Sequence, residues 1–292
     1  MIAIYLREHG PDVANPSFLA HTAAPVVQWW TGRTLADIRG QPCRDYVRWR
    51  IAKGVCIETA RHDLSTLRAA IRWYHAEHGP LDTVPIVTLP ERGFPKERWL
   101  TRSDAAKFLR AARRSKTGRH VIRFFLIGIY TGTRPGAILA LRWLPSIDGG
   151  WFDLEQCLLY RRGKGARETK KRQPPVRIHS RLLPHLRRWK RIDEQWGETA
   201  VCHYQGGTVQ KLRNSWNTIR IAAGLGPEVT PHIVRHTAAT WLLQNGVDMF
   251  EAAGYLGMSL EMLDRVYGHH HADFMNAAAR SMPRKRENKG KT

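Results

Sequence analysis

Hydrophobic residues recur at helical spacing through most of the chain. The clearest example covers residues 58–78, where Leu64, Leu67, Ile71 and Tyr74 fall on one face and a Gly-Pro pair ends the pattern. Polar and charged residues occupy the other positions of this segment. The pattern predicts that the chain up to about residue 90 is helical.

A second helical region begins at Thr101, whose hydroxyl can cap a helix together with Asp104 three residues later. Residues 121–130 are apolar on nearly every side, which predicts a helix buried in the core of a domain. Further helices are predicted over 137–143, from Thr230 with Pro231 as the first helical residue, from Asp248, and from Ser259.

Between these helices, residues 151–178 carry β-branched and aromatic side chains interrupted by glycines, which predict a small antiparallel sheet with a basic hairpin. The predicted fold class is therefore mainly α with a small antiparallel β-sheet. The segment LPERGFPKER has the composition of a linker. We accordingly predict a helical domain over 1–92, a linker over 93–99, a second domain over 100–280, and a basic tail over 281–292.

The charge balance indicates a polyanionic partner. The 292 residues include 47 Lys and Arg against 25 Asp and Glu, which gives a net charge of +22. The basic residues are concentrated between Leu158 and Arg191, where the single acid is Glu168, so binding to nucleic acid should weaken steeply with salt. Ribosomal and RNA-associated proteins share such a charge, which by itself indicates no chemistry.

Cysteine usage and hydropathy suggest an intracellular protein. The four cysteines are widely spaced and form no CxxC pair, which predicts neither a zinc site nor a disulfide framework. No apolar run approaches the roughly 18 residues that span a bilayer, and Arg7 and Glu8 interrupt the region where a signal peptide would be apolar. We expect a soluble, cytoplasmic protein that uses no membrane and no metal.

Five separated residues suggest phosphate chemistry: Arg134, Lys170, His232, Arg235 and Tyr267. Two guanidinium groups can grip the oxygens of one phosphodiester, and His and Lys can transfer protons. A tyrosine hydroxyl can attack phosphorus and hold it covalently. Each of these residues also has an ordinary structural alternative, such as a surface charge or a core aromatic, and only the combination favours a reaction.

The segments around these residues resemble the tyrosine recombinase family, also called phage integrases. The matching segments are TGTRPGAILALRW, TKKRQPPVRI, TPHIVRHTAATWLLQNGVD and LGMSLEMLDRVYGH, in the order found in the family. The resemblance covers the whole second domain, and the helical N-terminal part is similar to the family's core-binding domain.

The resemblance implies a site-specific recombinase or integrase that breaks and rejoins DNA without metal, ATP or another cofactor. In that reading Arg134 and Arg235 bind the scissile phosphate, His232 assists proton transfer, Lys170 protonates the leaving 5′ oxygen, and Tyr267 forms a 3′-phosphotyrosine. The two domains would clamp double-stranded DNA as a homotetramer in a bacterial or phage setting, with accessory factors that set the direction of the reaction. Further DNA-binding residues are expected in the basic stretch: Arg161, Arg162, Lys164, Lys171 and Arg172.

Two positions depart from the family's pattern. Met258 stands where the family usually has His or Trp, and Ala137 stands where it usually has Glu. A thioether cannot donate a hydrogen bond to phosphate, although it can pack against the tyrosine segment as Trp does. These departures put the rate in question more than the identity of the site.

Two alternative functions remain open from the sequence. One is the strand relaxation of a type IB topoisomerase, which uses the same tyrosyl chemistry without strand exchange. The other is a DNA-binding protein with weakened catalysis, which Met258 and Ala137 keep open. Lys170 is preferred to the adjoining Lys171 because its separation from Val176 is close to the offset usual in the family. A run of histidines at 269–271 is interpreted as solvated or DNA-facing side chains and not as a metal cluster.

Overall fold

The computed structural model describes residues 1–93, 98–165 and 173–272 together with Met275. The chain divides into two compact units, Met1–Pro95 and Lys96–Thr292. Most described residues are helical, and the strands form small antiparallel sheets, so the predicted fold class is confirmed. None of the helices in these ranges is long and apolar enough to cross a membrane.

The first unit packs its helices around one long amphipathic helix. Tyr46 and Trp30 lie in the same core as the apolar stripe of that helix, which contains Leu64, Leu67 and Ile71. The helix predicted over 58–78 is confirmed. Burial of its apolar stripe stabilises this helix more than local propensity does. The helices of this unit are α1 Ile2–Glu8, α2 Pro16–Trp30, α3 Gly40–Ala52 and α4 Ile57–His78.

The second unit is built around α6, Gly118–Thr131, which packs against α5, Arg102–Arg114, and α10, Ile233–Gln244. Burial of α6 on several faces confirms the prediction made from its apolar sequence. Thr101 and Asp104 form the predicted capping box of α5. The helices are α5 Arg102–Arg114, α6 Gly118–Thr131, α7 Pro135–Leu139, α8 Leu183–Gln195, α9 Arg213–Ala222, α10 Ile233–Gln244, α11 Met249–Leu256 and α12 Leu260–Tyr267.

A three-stranded antiparallel sheet follows α7, as predicted. Its strands are β1 Trp151–Asp153, β2 Leu158–Tyr160 and β3 Val176–Arg177, in the order β1-β2-β3. Phe152 pairs with Leu159, which pairs with Val176, and these three side chains are buried. A two-stranded hairpin, β4 His203–Tyr204 and β5 Gly207–Thr208, lies after α8.

Two helix boundaries differ from the prediction. The helix predicted over 137–143 is shorter and ends at Leu139, because the backbone of Arg142 instead forms β-bridges with Trp151 and Ala200. Helix α10 begins at Ile233 and not at Pro231, since the amide of Ile233 closes a short turn onto the carbonyl of Thr230. His232 is therefore the N-cap of α10.

Candidate functional site

A left-handed glycine fixes the position of Arg134. Helix α6 ends at Thr131, and Gly132 follows with a φ of 61°. A Cβ at Gly132 would lie 2.3 Å from Cδ2 of Leu256, so both the backbone conformation and the packing require glycine there. The chain then turns and delivers Arg134 as the N-cap of α7.

Main-chain carbonyls bring the two predicted phosphate-binding arginines together. Arg235 projects from the first turn of α10, and its Nη1 donates to the carbonyl oxygens of Gly132 at 2.6 Å and Leu256 at 2.7 Å. Nη2 of Arg134 donates to the carbonyl oxygen of Gly257 at 3.2 Å. Since Leu256 and Gly257 are consecutive, the end of α11 holds both guanidinium groups in one place.

Arg161 lies inside the protein next to this pair and not on the DNA-facing surface where the sequence placed it. Its side chain is 4% exposed. Nε donates to Oγ1 of Thr133 at 3.0 Å, Nη2 donates to the carbonyl oxygen of Thr131, and the guanidinium lies 6.0 Å from the ring centroid of Tyr255. Arg161 therefore supports the turn that carries Arg134, which is a structural role that its basic neighbourhood in the sequence concealed.

The cluster of arginines creates a strongly positive interior. Burial, reinforced by the charges of Arg134 and Arg161, lowers the pKa of Arg235 to about 9. Burial and the charge of Arg134 lower the pKa of Arg161 to about 10, and burial lowers that of Arg134. Positive charges that repel one another in a partly dry site are stabilised by a bound anion.

Tyr267 lies beside the arginines at the end of α12. Ser259 caps this helix as predicted, through an Oγ that accepts from the amide of Met262. The tyrosine is 7% exposed, and its hydroxyl lies 2.5 Å from Nδ1 of His236. Burial raises the pKa of the phenol to about 12, although the charge of Arg235 acts in the opposite direction.

Two histidines one helical turn apart complete the group. His232 is exposed, and the rings of His232 and His236 lie 5.3 Å apart between centroids. Partial loss of hydration and the charges of Arg235 and Arg134 lower the pKa of His232. Burial, with the nearby His232 and Arg235, lowers the pKa of His236 to about 4, so this ring is neutral at physiological pH.

Sequence reasoning missed His236. The available signal was its position, one residue after Arg235 and four after His232, which places it on the same face of α10 as His232. Met258 belongs to the group as a packing residue, because it is partly buried against the cluster that contains Tyr267. The packing role suggested for Met258 is consistent with this contact.

Of the remaining predicted residues, the structure describes only Arg162 and Lys164. Arg162 is half-buried and Lys164 is exposed, with its Nζ 5.9 Å from the ring centroid of Trp151. Lys170, Lys171 and Arg172 lie outside the described residues, so their roles stay predictions. Within the described ranges, no group of three His, Cys, Asp or Glu side chains is arranged to hold a metal ion.

Taken together, the described side chains can do one kind of chemistry well. Arg134 and Arg235 present guanidinium groups from a fixed backbone, as binding of two phosphate oxygens requires. Tyr267 supplies a hydroxyl, and the imidazole of His236 contacts it. A hydroxyl, an imidazole and a pair of guanidinium groups therefore converge on one region of the second unit.

Sequence comparison finds tyrosine recombinases similar to this chain. The tyrosine recombinase XerC of Xanthomonas campestris pv. campestris (strain B100) is 24% identical over 249 residues, which cover 84% of this chain and 73% of that protein. The tyrosine recombinase XerD of Pseudomonas putida is 26% identical over 233 residues, 77% of this chain and 75% of that protein.

Solved structures share the fold. The Tn1549 transposon integrase in complex with a circular intermediate DNA superposes with a TM-score of 0.76 at 14% identity, over 96% of this chain and 98% of that chain. A lambda integrase dimer bound to a core site gives 0.68 at 17% identity, over 89% of this chain and 95% of that chain. The model of the phage integrase family matches residues 98–273, which is more than half of the sequence. The chain therefore belongs to the phage integrase family and is a tyrosine-type site-specific recombinase.

Proposed function

We propose that this recombinase cuts and rejoins double-stranded DNA through a 3′-phosphotyrosyl intermediate formed on Tyr267. The observation that carries the proposal is the convergence of Arg134, Arg235 and Tyr267 around the end of α11 and α12. The structural neighbours solved with DNA support double-stranded DNA as the substrate, and the net charge of +22 suits a polyanion.

In the proposed cleavage, Arg134 and Arg235 bind the non-bridging oxygens of the scissile phosphate. The Tyr267 oxygen forms a bond to phosphorus while the bond from phosphorus to the 5′ oxygen breaks. Lys170, assisted by His232, supplies a proton to that 5′ oxygen. The positive site stabilises the extra negative charge of the transition state, because its cations are fixed before the reaction begins.

The second half of the reaction is the reverse of the first. A 5′ hydroxyl attacks the phosphotyrosine, the new phosphodiester forms, and the tyrosine oxygen leaves and regains its proton. Since the tyrosyl ester keeps the free energy of the broken bond, rejoining needs no ATP, and the arginines supply the charge that a metal ion would otherwise provide. Exchange of two duplexes by this route needs four cleavages, which favours a homotetramer on DNA, as in the lambda integrase tetramer bound to a Holliday junction.

The decisive experiment is covalent trapping on a suicide substrate, a nicked duplex whose cleaved fragment diffuses away. The wild type should form a protein–DNA adduct, whereas Tyr267→Phe should form none and should still bind the same DNA within a few-fold. The phosphate contacts of the arginines do not involve the lost hydroxyl, which is why binding should survive. An adduct in Tyr267→Phe would disprove the assignment of the nucleophile.

The same substrate family separates recombination from the type IB topoisomerase alternative. A recombinase should join strands of two duplexes that carry its site, whereas a relaxing enzyme should only remove supercoils from plasmids of any sequence. A wild type that relaxes plasmids without site-dependent joining would favour the hypothesis of a type IB topoisomerase. A wild type that binds DNA without forming a protein–DNA adduct would favour the hypothesis of a DNA-binding protein with weakened catalysis.

A further inference from the structure

The contact between His236 and Tyr267 assigns a chemical role to a histidine outside the predicted set. We infer that His236 is the proton acceptor for the Tyr267 hydroxyl during cleavage and returns that proton during rejoining. The inference rests on the proposed phosphotyrosyl chemistry and adds the destination of the phenolic proton, which that chemistry leaves open.

Geometry is the first support. Nδ1 of His236 lies 2.5 Å from the hydroxyl oxygen of Tyr267, a hydrogen-bond distance that allows direct proton transfer from oxygen to nitrogen. His236 belongs to the rigid helix α10, which also carries Arg235, and Tyr267 is held at the end of α12 by the packing of Leu263 in the same cluster. Helix α10 therefore positions both the proton acceptor and the phosphate-binding Arg235, and α12 positions the nucleophile.

The protonation states of the free protein are the second support. The phenol keeps its proton, because its pKa is raised to about 12, and the imidazole is neutral, because its pKa is lowered to about 4. A neutral ring with its hydrogen on Nε2 offers a lone pair at Nδ1 to the hydroxyl. The proton therefore starts on the tyrosine oxygen, and the imidazole starts with a free lone pair to receive it.

Substrate binding should make this transfer easier. The groups that depress the pKa of His236 are its burial and the neighbouring His232 and Arg235. A phosphodiester bound by Arg235 adds a negative charge that offsets the charge of that guanidinium, so the pKa of His236 should rise when DNA occupies the site. Proton acceptance is then coupled to the presence of the phosphate that will be attacked.

The proton that Tyr267 gives to His236 during cleavage is returned during rejoining. As the Tyr267 oxygen bonds to phosphorus, its proton moves to Nδ1 of His236, and the leaving 5′ oxygen receives a different proton from the acid on its own side. During rejoining, the imidazolium of His236 returns the proton to the departing tyrosine oxygen. The same residue therefore acts as base in one direction and as acid in the other.

Two substitutions at one position test the role on the suicide substrate. His236→Ala removes the acceptor, and His236→Asn places an amide oxygen near the position of Nδ1, where it can contact the hydroxyl but cannot take its proton. We expect His236→Ala and His236→Asn to reduce the single-turnover cleavage rate by about 10² or more, in line with the loss of a general base. DNA affinity should stay within a few-fold of the wild type.

The pH profile separates proton acceptance from simple positioning. Without a base, cleavage depends on ionisation of the phenol, so the rate of His236→Asn should rise by up to about tenfold per pH unit through the alkaline range. The wild-type rate should be flatter over the same range. If His236→Asn cleaves within a few-fold of the wild type at every pH, or if His236→Ala is unimpaired, the proton-acceptor role is overturned.

A measurement on the free protein keeps this inference distinct from the proposed function. The nitrogen NMR shifts of the His236 ring should show hydrogen on Nε2 and a hydrogen-bonded Nδ1, and Tyr267→Phe should move the Nδ1 shift to that of an unbonded nitrogen. A hydrogen on Nδ1 would overturn the inference even if the wild type traps DNA. A wild type that shows the expected ring but traps no DNA would reject the phosphotyrosyl proposal, and the proton-acceptor role would fall with it.

Discussion

Two buried arginines in the second unit are held in opposite ways. Arg123 on α6 makes a bidentate pair with Asp193 on α8, and Asp193 also accepts from Nε1 of Trp143 at 2.8 Å. Arg235 instead donates to two main-chain carbonyls, and none of the ion pairs within the described residues involves it. The charge of Arg123 is neutralised inside the fold, whereas that of Arg235 is positioned but not cancelled.

The comparison shows how the protein separates support from recognition. A carboxylate beside Arg235 would hold the side chain equally well but would compete with a phosphate for the same donors. Carbonyl dipoles fix the guanidinium without a net negative charge, at the cost of a depressed pKa. The charge of Arg235 therefore stays available to a bound anion, whereas the charge of Arg123 is already neutralised by Asp193.

The largest expected effect concerns the paired arginine. Asp193→Ala leaves Arg123 buried without its carboxylate, so we expect the free energy of unfolding to fall by about 3–5 kcal/mol. The neighbouring Glu194 forms an exposed pair with Lys190 on the same helix, and Glu194→Ala should cost no more than about 0.5 kcal/mol. Urea denaturation of both variants measures the difference, and similar losses would show that the buried pair contributes no more than a surface pair.

The same pair gives a pH dependence with a defined sign. Burial would raise the pKa of Asp193, but its hydrogen bonds and ion pair with Arg123 lower that pKa overall. The stabilisation by the ionised Asp193 is therefore present above the pKa of an unfolded Asp, about 4, and is lost as the pH falls through the lower pKa of Asp193 in the folded protein. Asp193→Asn should show a smaller loss of stability on acidification than the wild type.

The unpaired arginine should show the complementary behaviour. Arg235→Lys replaces a planar fork with a point charge that cannot hold two carbonyls and a phosphate together, so covalent complex formation should slow by about 10² or more. Its free energy of unfolding should change less than that of Asp193→Ala. The exposed Arg265 on α12 is the control, and Arg265→Lys should cleave like the wild type. Equal cleavage by Arg235→Lys would remove this arginine from the phosphate site.

The smallest expected effect lies at Met258. This side chain packs at the edge of the cluster that holds Tyr267, so Met258→Ala should loosen the tyrosine and slow cleavage by only a few-fold. The cost in stability should be about 1 kcal/mol, below the range for a fully buried methionine. Met258→His keeps comparable bulk and adds a hydrogen-bond donor, so cleavage should be retained or raised. If the wild type traps no DNA and Met258→His does, the natural residue suppresses catalysis.

Helix ends were predictable where a side chain caps the helix. Thr101, Asp248 and Ser259 all accept the expected backbone hydrogen bonds, since capping depends on residues within a few positions along the chain. The end of α7 was not predictable, because it is set by β-bridges from Arg142 to residues distant in sequence. Local signals fix local boundaries, and long-range pairing overrides them elsewhere.

The same distinction applies to the site. The motifs selected Arg134, His232, Arg235 and Tyr267 from what phosphate chemistry needs, and the fold places these residues close together. The internal role of Arg161 was not visible, since a basic residue in a basic stretch has the pattern of a surface charge until the fold buries it. The partner of the tyrosine hydroxyl likewise depends on how α10 and α12 pack together.

The carbonyl support of the arginines also bears on how freely the sequence can vary. Because Arg235 donates to two backbone oxygens, mutations that change the surrounding side chains leave these two hydrogen-bond acceptors in place. Variation is instead constrained at Gly132 and Gly257, whose left-handed conformations shape the two helix ends. A substitution at either glycine should therefore disturb the placement of both arginines at once, because the two helix ends supply the carbonyl oxygens that hold them.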